Sequence, residues 1–333
     1  MEKITLADGS GGRQTHELIR SLFLKKLHNP FLAELSDSAV LEYTQPLAFT
    51  TDSFVVQPLR FPGGDIGRLS VCGTVNDLAV QGAVPQYLSL AMVAEEGLAL
   101  SVLEGIVSSI AAAAREARVQ VVTGDFKVVG KGGCDQLFIT TSGVGALIGK
   151  VRLSLRNIRP GDVLILTGGI GEHGFAVLAA RYSLRFGAAL KSDCAPLAGL
   201  LIPLLKRGCQ VRCMRDPTRG GLATTLNELA EGASVGIELD EQSIPVAPQV
   251  RVASEMLGID PLYAACEGRA VVIVSPRDEA RVLRLLRAHA LGRKARVIGR
   301  ATKGNAGRVI LNTVTGAQRF VEMLENDPLP RIC

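Results

Sequence analysis

The chain has 333 residues, 47% of them hydrophobic, enough for two cores in domains of about 150 residues each without disulfide or metal staples. Aromatic residues make up only 4% and tryptophan is absent, so the cores must be aliphatic, while 36 glycines point to tight turns and backbone-lined sites. A net charge of +5, spread over several segments without interleaved aromatics, gives no nucleic-acid footprint, and the apolar runs 106–114 and 195–205 are too short to cross a bilayer. The N-terminus lacks a basic, apolar, cleavable pattern, and the seven cysteines show no framework spacing, so the expectation is a cytoplasmic protein with no membrane association and reduced thiols. Cys209 and Cys213 lack a second pair or a nearby histidine to complete a zinc site, and His16, His28, His173 and His289 are too scattered to ligate a metal.

In chain order, Asp8-Gly9-Ser10-Gly11-Gly12 opens onto a helical pattern over 15–27, carried by Leu18, Ile19, Leu22 and Phe23. A glycine loop at a helix start suits either an anion or a flexible terminus. Residues 47–51 read as a strand with Asp52 at its C-terminal end. A turn over 61–67 then hands over to an apolar helical run through Val71, Val75, Leu78 and Val80, interrupted by Asn76 and Asp77. A carboxylate in that company needs solvent or a partner. Residues 87–94 form a second strand, 101–117 an alanine-rich helix, and 119–123 a third strand that delivers Gly124, Asp125 and then Lys127. Strand-end carboxylates plus Asp77 offer the oxygen ligands that Mg²⁺ prefers alongside phosphate. A further strand over 137–147 and the turn Arg159-Pro160-Gly161-Asp162 set a domain boundary near residue 150.

The second half opens with a strand over 163–167, then Gly169-Ile170-Gly171-Glu172-His173-Gly174 and a helix over 175–182. The spacing matches G-x-G-x-x-G, but no strand ending in an acidic residue follows about 20 residues later, so a tight strand-to-helix turn is preferred to a dinucleotide site. Asp216-Pro217, in the run Arg215 to Gly221 before a helix over 222–231, reads as an N-cap or as a charged glycine-rich site. Glu267 precedes a strand over 270–274 and is either a loop carboxylate or a positioned base. Residues 281–296 form a basic helix-like stretch with a solvated face. Two prolines make the last segment, Asp327-Pro328-Leu329-Pro330-Arg331-Ile332-Cys333, extended, so its final ten residues can span roughly 30 Å. Cys333 is either a frayed end or a thiol on an arm.

Taken together, Gly9 to Gly12, Thr51-Asp52-Ser53, Gly73-Thr74-Val75-Asn76-Asp77, Val122-Thr123-Gly124-Asp125, Lys127-Val128-Val129, Arg215 to Gly221, Glu267-Gly268 and the terminal Pro330-Arg331-Ile332-Cys333 resemble the HypE family of hydrogenase maturation proteins. These are carbamoyl-cysteine dehydratases of the aminoimidazole ribonucleotide synthetase-like superfamily. The similarity runs the whole length, and the terminal tetrapeptide is its most specific element. The sequence departs from the family pattern at Asp8 (usually histidine), Phe126 (usually threonine) and Cys266 (usually asparagine).

The resemblance implies an α/β (α+β) fold of two domains. Residues 1–150 would bind ATP and pair with a second copy into a barrel at a homodimer interface, 151–323 would form a second α/β domain, and 324–333 a flexible carrier tail. It implies that HypF carbamoylates Cys333, that ATP with Mg²⁺ drives dehydration of the S-carboxamide to a thiocyanate, and that the cyano group passes to iron on the HypC–HypD complex for nickel–iron hydrogenase. Site roles follow from the same resemblance. Asp52, Asp77, Asp125 and Asp216 would hold metal, and Ser10, Gly11, Gly12, Asn76, Gly124 and Lys127 would contact the nucleotide. Cys333, Glu267 and Lys127 would carry the chemistry, with Glu267 as base. The alternative within the superfamily is an ATP-dependent kinase or synthetase acting on a diffusible substrate, with Cys333 incidental.

Overall fold

A computed structural model describes residues 3–9, 13–33, 41–149, 152–184 and 190–323, together with Ile332. In the first half the strands are β1 (Leu47–Phe54), the short hairpin β2 (Arg60–Phe61) and β3 (Gly64–Asp65), then β4 (Ala83–Glu95), β5 (Gln120–Val129) and β6 (Leu137–Leu147). The main sheet runs β1-β6-β4-β5, with β4 and β5 parallel and the other pairs antiparallel. Alternation along β4 sends Leu88, Leu90, Met92 and Ala94 to one face, where two helices cover them. The opposite face is open, with Phe49 71% and Leu47 44% exposed.

The helix Ile66–Val80 is apolar nearly all round because it lies between that sheet, the helix Leu100–Ala117 and the second domain. Asp65 caps it by accepting the Arg68 N–H at 2.8 Å. Gly67 is needed there, since a Cβ would stand 2.6 Å from the Ile106 carbonyl oxygen. The helix Leu100–Ala117 instead buries one stripe, Leu103, Ile106, Val107 and Ile110, and ends where Arg118 turns left-handed at φ 59°.

The second half carries β7 (Val163–Leu166), β8 (Val211–Arg215), β9 (Gly236–Asp240), β10 (Val271–Val274), β11 (Arg296–Thr302), β12 (Val309–Asn312) and β13 (Gln318–Val321), ordered β13-β12-β9-β11-β7-β10-β8. Alternate residues of β7 enter two different cores: Leu164 and Leu166 meet Leu222 and Leu226, and Val163 and Ile165 meet Leu200, Leu201 and Leu286. Helices on both faces explain why β7 and β10 read as unbroken apolar runs. Ala79 and Val80 join the second of these cores, so the central helix pins the domains together. Among the described residues no helix is long and apolar enough to cross a membrane.

Several expectations change. β1 continues past Asp52 to Phe54, and β5 past Asp125 and Lys127 to Val129, because their partners β6 and β4 keep pairing with them. Those aspartates are therefore mid-strand rather than terminal. The glycine run 169–174 follows a strand whose neighbours β10 and β11 are both antiparallel to it, which removes the parallel frame of a dinucleotide fold. The basic stretch 281–296 is a helix only over Glu279–Arg287, after which His289 caps a short turn and Arg296 opens β11.

Candidate active site at the domain junction

Glu267 lies just before β10 and is 3% exposed, with no hydrogen-bond partner for its Oε1. Its backbone is held on both sides: the N–H donates to Asp193 Oδ1 at 3.2 Å, and the carbonyl accepts from Asn76 Nδ2 at 3.1 Å. Gly268 N–H donates to the other Asp193 oxygen at 3.1 Å. Arg269 stands 3.6 Å from Asp193 and 3.7 Å from Glu172. Burial first, then the nearby Asp216, Asp193 and Asp52 carboxylates, pushes the Glu267 carboxyl well above the usual range. A buried carboxyl with a free oxygen and a raised pKa is equipped to take or hold a proton.

Three aspartates approach from different elements. Asp52 on β1 accepts the Ser53 N–H at 2.8 Å, and burial followed by the Asp77 charge raises its pKa. Asp77, inside the helix Ile66–Val80, accepts from Thr50 Oγ1 at 2.8 Å, and burial raises it too. Asp216, after β8, is pushed up to about 7 by its protein surroundings and by Asp77. Asp77 and Asp216 line a polar cavity of about 430 Å³ with Arg215, Arg219, Thr218 and Gly220. That cavity opens at the start of the helix Gly221–Ala233, where Gly220 and Gly221 have φ of 73° and 61° and a Cβ on Gly221 would meet the Leu262 carbonyl at 2.6 Å. The backbone there has a shape only glycine permits. Mutual repulsion of the three carboxylates is what a bound cation would relieve, so their donor set fits Mg²⁺. Among the described residues no three acidic, histidine or cysteine side chains enclose an ion unaided. Mg²⁺ commonly keeps water and substrate phosphate oxygens alongside one or two carboxylates.

The remaining sequence candidates fall elsewhere. Asp125 pairs across β4 with Ala91, Ala91 with Thr140, and Thr140 with Ser53, so Asp125 shares the open sheet face with Ser53 while Asp52 faces the helices. Lys127 lies on that open face too, 3.2 Å from Asp125, and both side chains are 60% exposed. Gly124 lies in β5, where a Cβ would meet the Leu90 carbonyl. Asn76 is 1% exposed, with both ends of its amide engaged inside the chain, on Leu197, Ala195 and Glu267. Ser10, Gly11, Gly12 and Cys333 lie outside the described residues.

The departures from the family pattern find local roles. Asp8 closes a turn by accepting from Thr5 N and Oγ1, both at 2.8 Å. Phe126 points into the core, 5.5 Å from the Phe23 ring. Cys266 Sγ accepts the Gly171 N–H at 3.3 Å, away from the Glu267 carboxyl. Nothing in the local sequence marks Asp193 or Arg269 as site residues, and His173 stands alone among the scattered histidines. His173 is fully buried, and its Nε2 lies 2.6 Å from the carbonyl oxygen of Ile332. Ile332 itself is 2% exposed, in a core that joins the first domain to Phe175, Val177 and other second-domain residues.

Comparison with known proteins identifies the family and the fold. Residues 35–147 and 159–312 match the N-terminal and C-terminal domains of AIR synthase related proteins. Carbamoyl dehydratase HypE of Rhodobacter capsulatus is 46% identical over 335 residues, spanning 100% of this chain and 98% of the relative. The chain belongs to the HypE family. A crystal structure of HypE in complex with ATP matches it with a TM-score of 0.96 at 44% identity, covering 99% of each chain. A second HypE, solved in a HypE–HypF complex, matches with a TM-score of 0.81 at 42% identity, covering 92% of this chain and 99% of that one. The two-domain α/β fold is thus that of HypE.

Proposed function

We propose that this chain uses ATP to dehydrate a carbamoyl group carried on its own Cys333, turning the S-carboxamide into a thiocyanate as a source of cyanide for hydrogenase iron. One observation carries the reading: the chain end is anchored inside the protein at Ile332, and the Asp193 that holds the buried, unpartnered Glu267 follows directly on the Ser192 that meets His173. The HypE crystallised with ATP supports nucleotide use, and the HypE–HypF complex supports HypF as the carbamoyl donor. HypC–HypD would receive the cyano group.

Dehydration of an amide must expel its oxygen, a poor leaving group. Transfer of the γ-phosphoryl group to that oxygen lets it depart as phosphate, while the nitrogen gives up its two protons. Glu267 takes one of these protons as the carbon–nitrogen triple bond forms, its burial raising its affinity for a proton, and the departing phosphate carries off the other. Asp52, Asp77 and Asp216 would hold Mg²⁺, whose charge would offset that of the phosphates. A substrate fixed to the chain also avoids the entropy cost of a diffusible encounter and releases no free cyanide.

Pairing of two copies completes this reading. Within one chain β1 and β5 are the opposite edges of a four-stranded sheet, about 14 Å apart at about 4.8 Å per strand. In the pairing proposed, the two sheets close into a barrel with β5 of one copy beside β1 of the other, which covers the exposed Phe49. Asp125 and Lys127 would then serve the site of the second copy. Mass spectrometry of the C-terminal peptide after incubation with HypF, carbamoyl phosphate and MgATP tests the function. Loss of one water from carbamoylated Cys333, only with MgATP, is expected, and a persistent carbamoyl group would overturn it.

A further inference from the structure

The glycine run 169–174 lies outside any parallel dinucleotide frame, and it places His173 at the start of the helix Glu172–Arg181, fully buried, with the Phe61 ring edge-on at 5.3 Å. The two ring nitrogens have different partners. Nε2 is 2.6 Å from the Ile332 carbonyl oxygen, which can only accept, so Nε2 bears the hydrogen. Nδ1 is 2.8 Å from Ser192 Oγ, and that oxygen already accepts the Cys194 N–H at 3.1 Å. The serine hydroxyl is then free to donate to Nδ1, which gives a neutral imidazole with every polar atom satisfied. Burial pushes the His173 pKa down, which favours that neutral form.

We propose that His173 is the positioning residue of the carrier tail, with Ser192 fixing its tautomer and Asp193 linking its grip to the catalytic base. The carbonyl it holds belongs to the peptide unit that leads into Cys333, so fixing this group limits where the thiol and its carbamoyl group can lie. Ser192 is also anchored through its own N–H to the Pro62 carbonyl at 2.8 Å, beside the β2–β3 hairpin that presents Phe61. The next residue, Asp193, accepts from both Glu267 N–H and Gly268 N–H. One short segment thus sets the tail end and the base relative to each other. The role in catalysis rests on the reading of Cys333 as substrate carrier, whereas the grip itself does not.

The test measures alkylation of Cys333 by iodoacetamide in the full chain, read by mass spectrometry on the peptide released by cleavage after Glu325. His173→Phe keeps an aromatic ring but removes the donor, and should raise the alkylation rate about tenfold, as expected for loss of one buried hydrogen bond. His173→Gln, whose amide N–H can stand near the Nε2 position, should return towards the wild-type rate. Single-turnover dehydration should fall in the phenylalanine variant and recover with glutamine, at unchanged MgATP affinity. If His173→Phe fails to fold, Ser192→Ala decides, with an expected rise of about threefold. A wild-type alkylation rate in a folded His173→Phe or in Ser192→Ala overturns the proposal. Absence of dehydration in the wild-type chain would instead count against the function while leaving the alkylation rates to report the grip.

Discussion

The two faces of the first-domain sheet carry acidic residues of different character. The covered face holds Asp52, facing Asp77 on the helix Ile66–Val80 that packs there, with the second domain adding Asp216 and Glu267. The open face holds Asp125 in a 3.2 Å pair with Lys127, each 60% exposed, among Phe49, Leu47 and a row of threonines and serines. Desolvated carboxylates with raised pKa values are costly for a folded chain, and that cost is tolerated where a ligand or a reaction repays it. An exposed ion pair is worth little by itself. The contrast is between desolvated carboxylates gathered at the domain junction and a hydrated ion pair on the open face, and under the proposed pairing of two copies these are the two halves of one site.

The comparison is broken most severely at Glu267. Glu267→Gln should lower dehydration by about a thousandfold, within the range for loss of a general base, while MgATP affinity measured by calorimetry stays near wild type. Asp125→Asn should weaken MgATP roughly tenfold or more with the fold intact, because a charge-assisted contact to the nucleotide or its cation is lost. Equal affinity in that variant would confine the open face to a structural role. Phe49→Asp places a charge on the sheet face that pairing would bury, so sedimentation should show monomers in place of dimers.

A smaller effect sharpens the cost of burying carboxylates at the domain junction. Glu172, 3.7 Å from Arg269, is raised from 4.5 to about 7 by burial and by Asp193. Its folded pKa is above its unfolded one, so the stability it contributes is fully present below 4.5 and is lost as pH rises through about 7. Glu172→Gln mimics the protonated form and should stabilise the chain by about 1–3 kcal/mol at pH 8, judged from the size of the shift, with the gain fading as pH falls towards 4.5. Denaturant melts at several pH values check this.

Much of the fold was legible because its strands alternate cleanly and are bounded by turns: residues 137–147 form β6 over the expected span. The ends of β1 and β5 were not legible, since Asp52 and Asp125 look like strand terminators and only cross-strand pairing carries the chain past them. The acidic residues were visible as types, but not their division between two faces, which depends on the β4–β5 register and its bulge at Leu88/Ser89. Least legible were the contacts that assemble the site. Asn76 reaches Glu267 across 191 residues, and His173 reaches Ile332 across 159, and no local pattern encodes such pairings.

The claim that two half-sites meet across a pair of chains is tested most directly by mixing two impaired variants, Asp125→Asn and Glu267→Gln, and measuring dehydration at a MgATP concentration low enough to leave Asp125→Asn alone nearly unoccupied. If each site takes Asp125 from one copy and Glu267 from the other, half the dimers are mixed and each mixed dimer holds one site free of both substitutions, so about a quarter of wild-type activity should return. If the mixture stays as inactive as its components while mass spectrometry shows mixed dimers present, both residues serve a site within one chain and the account is wrong.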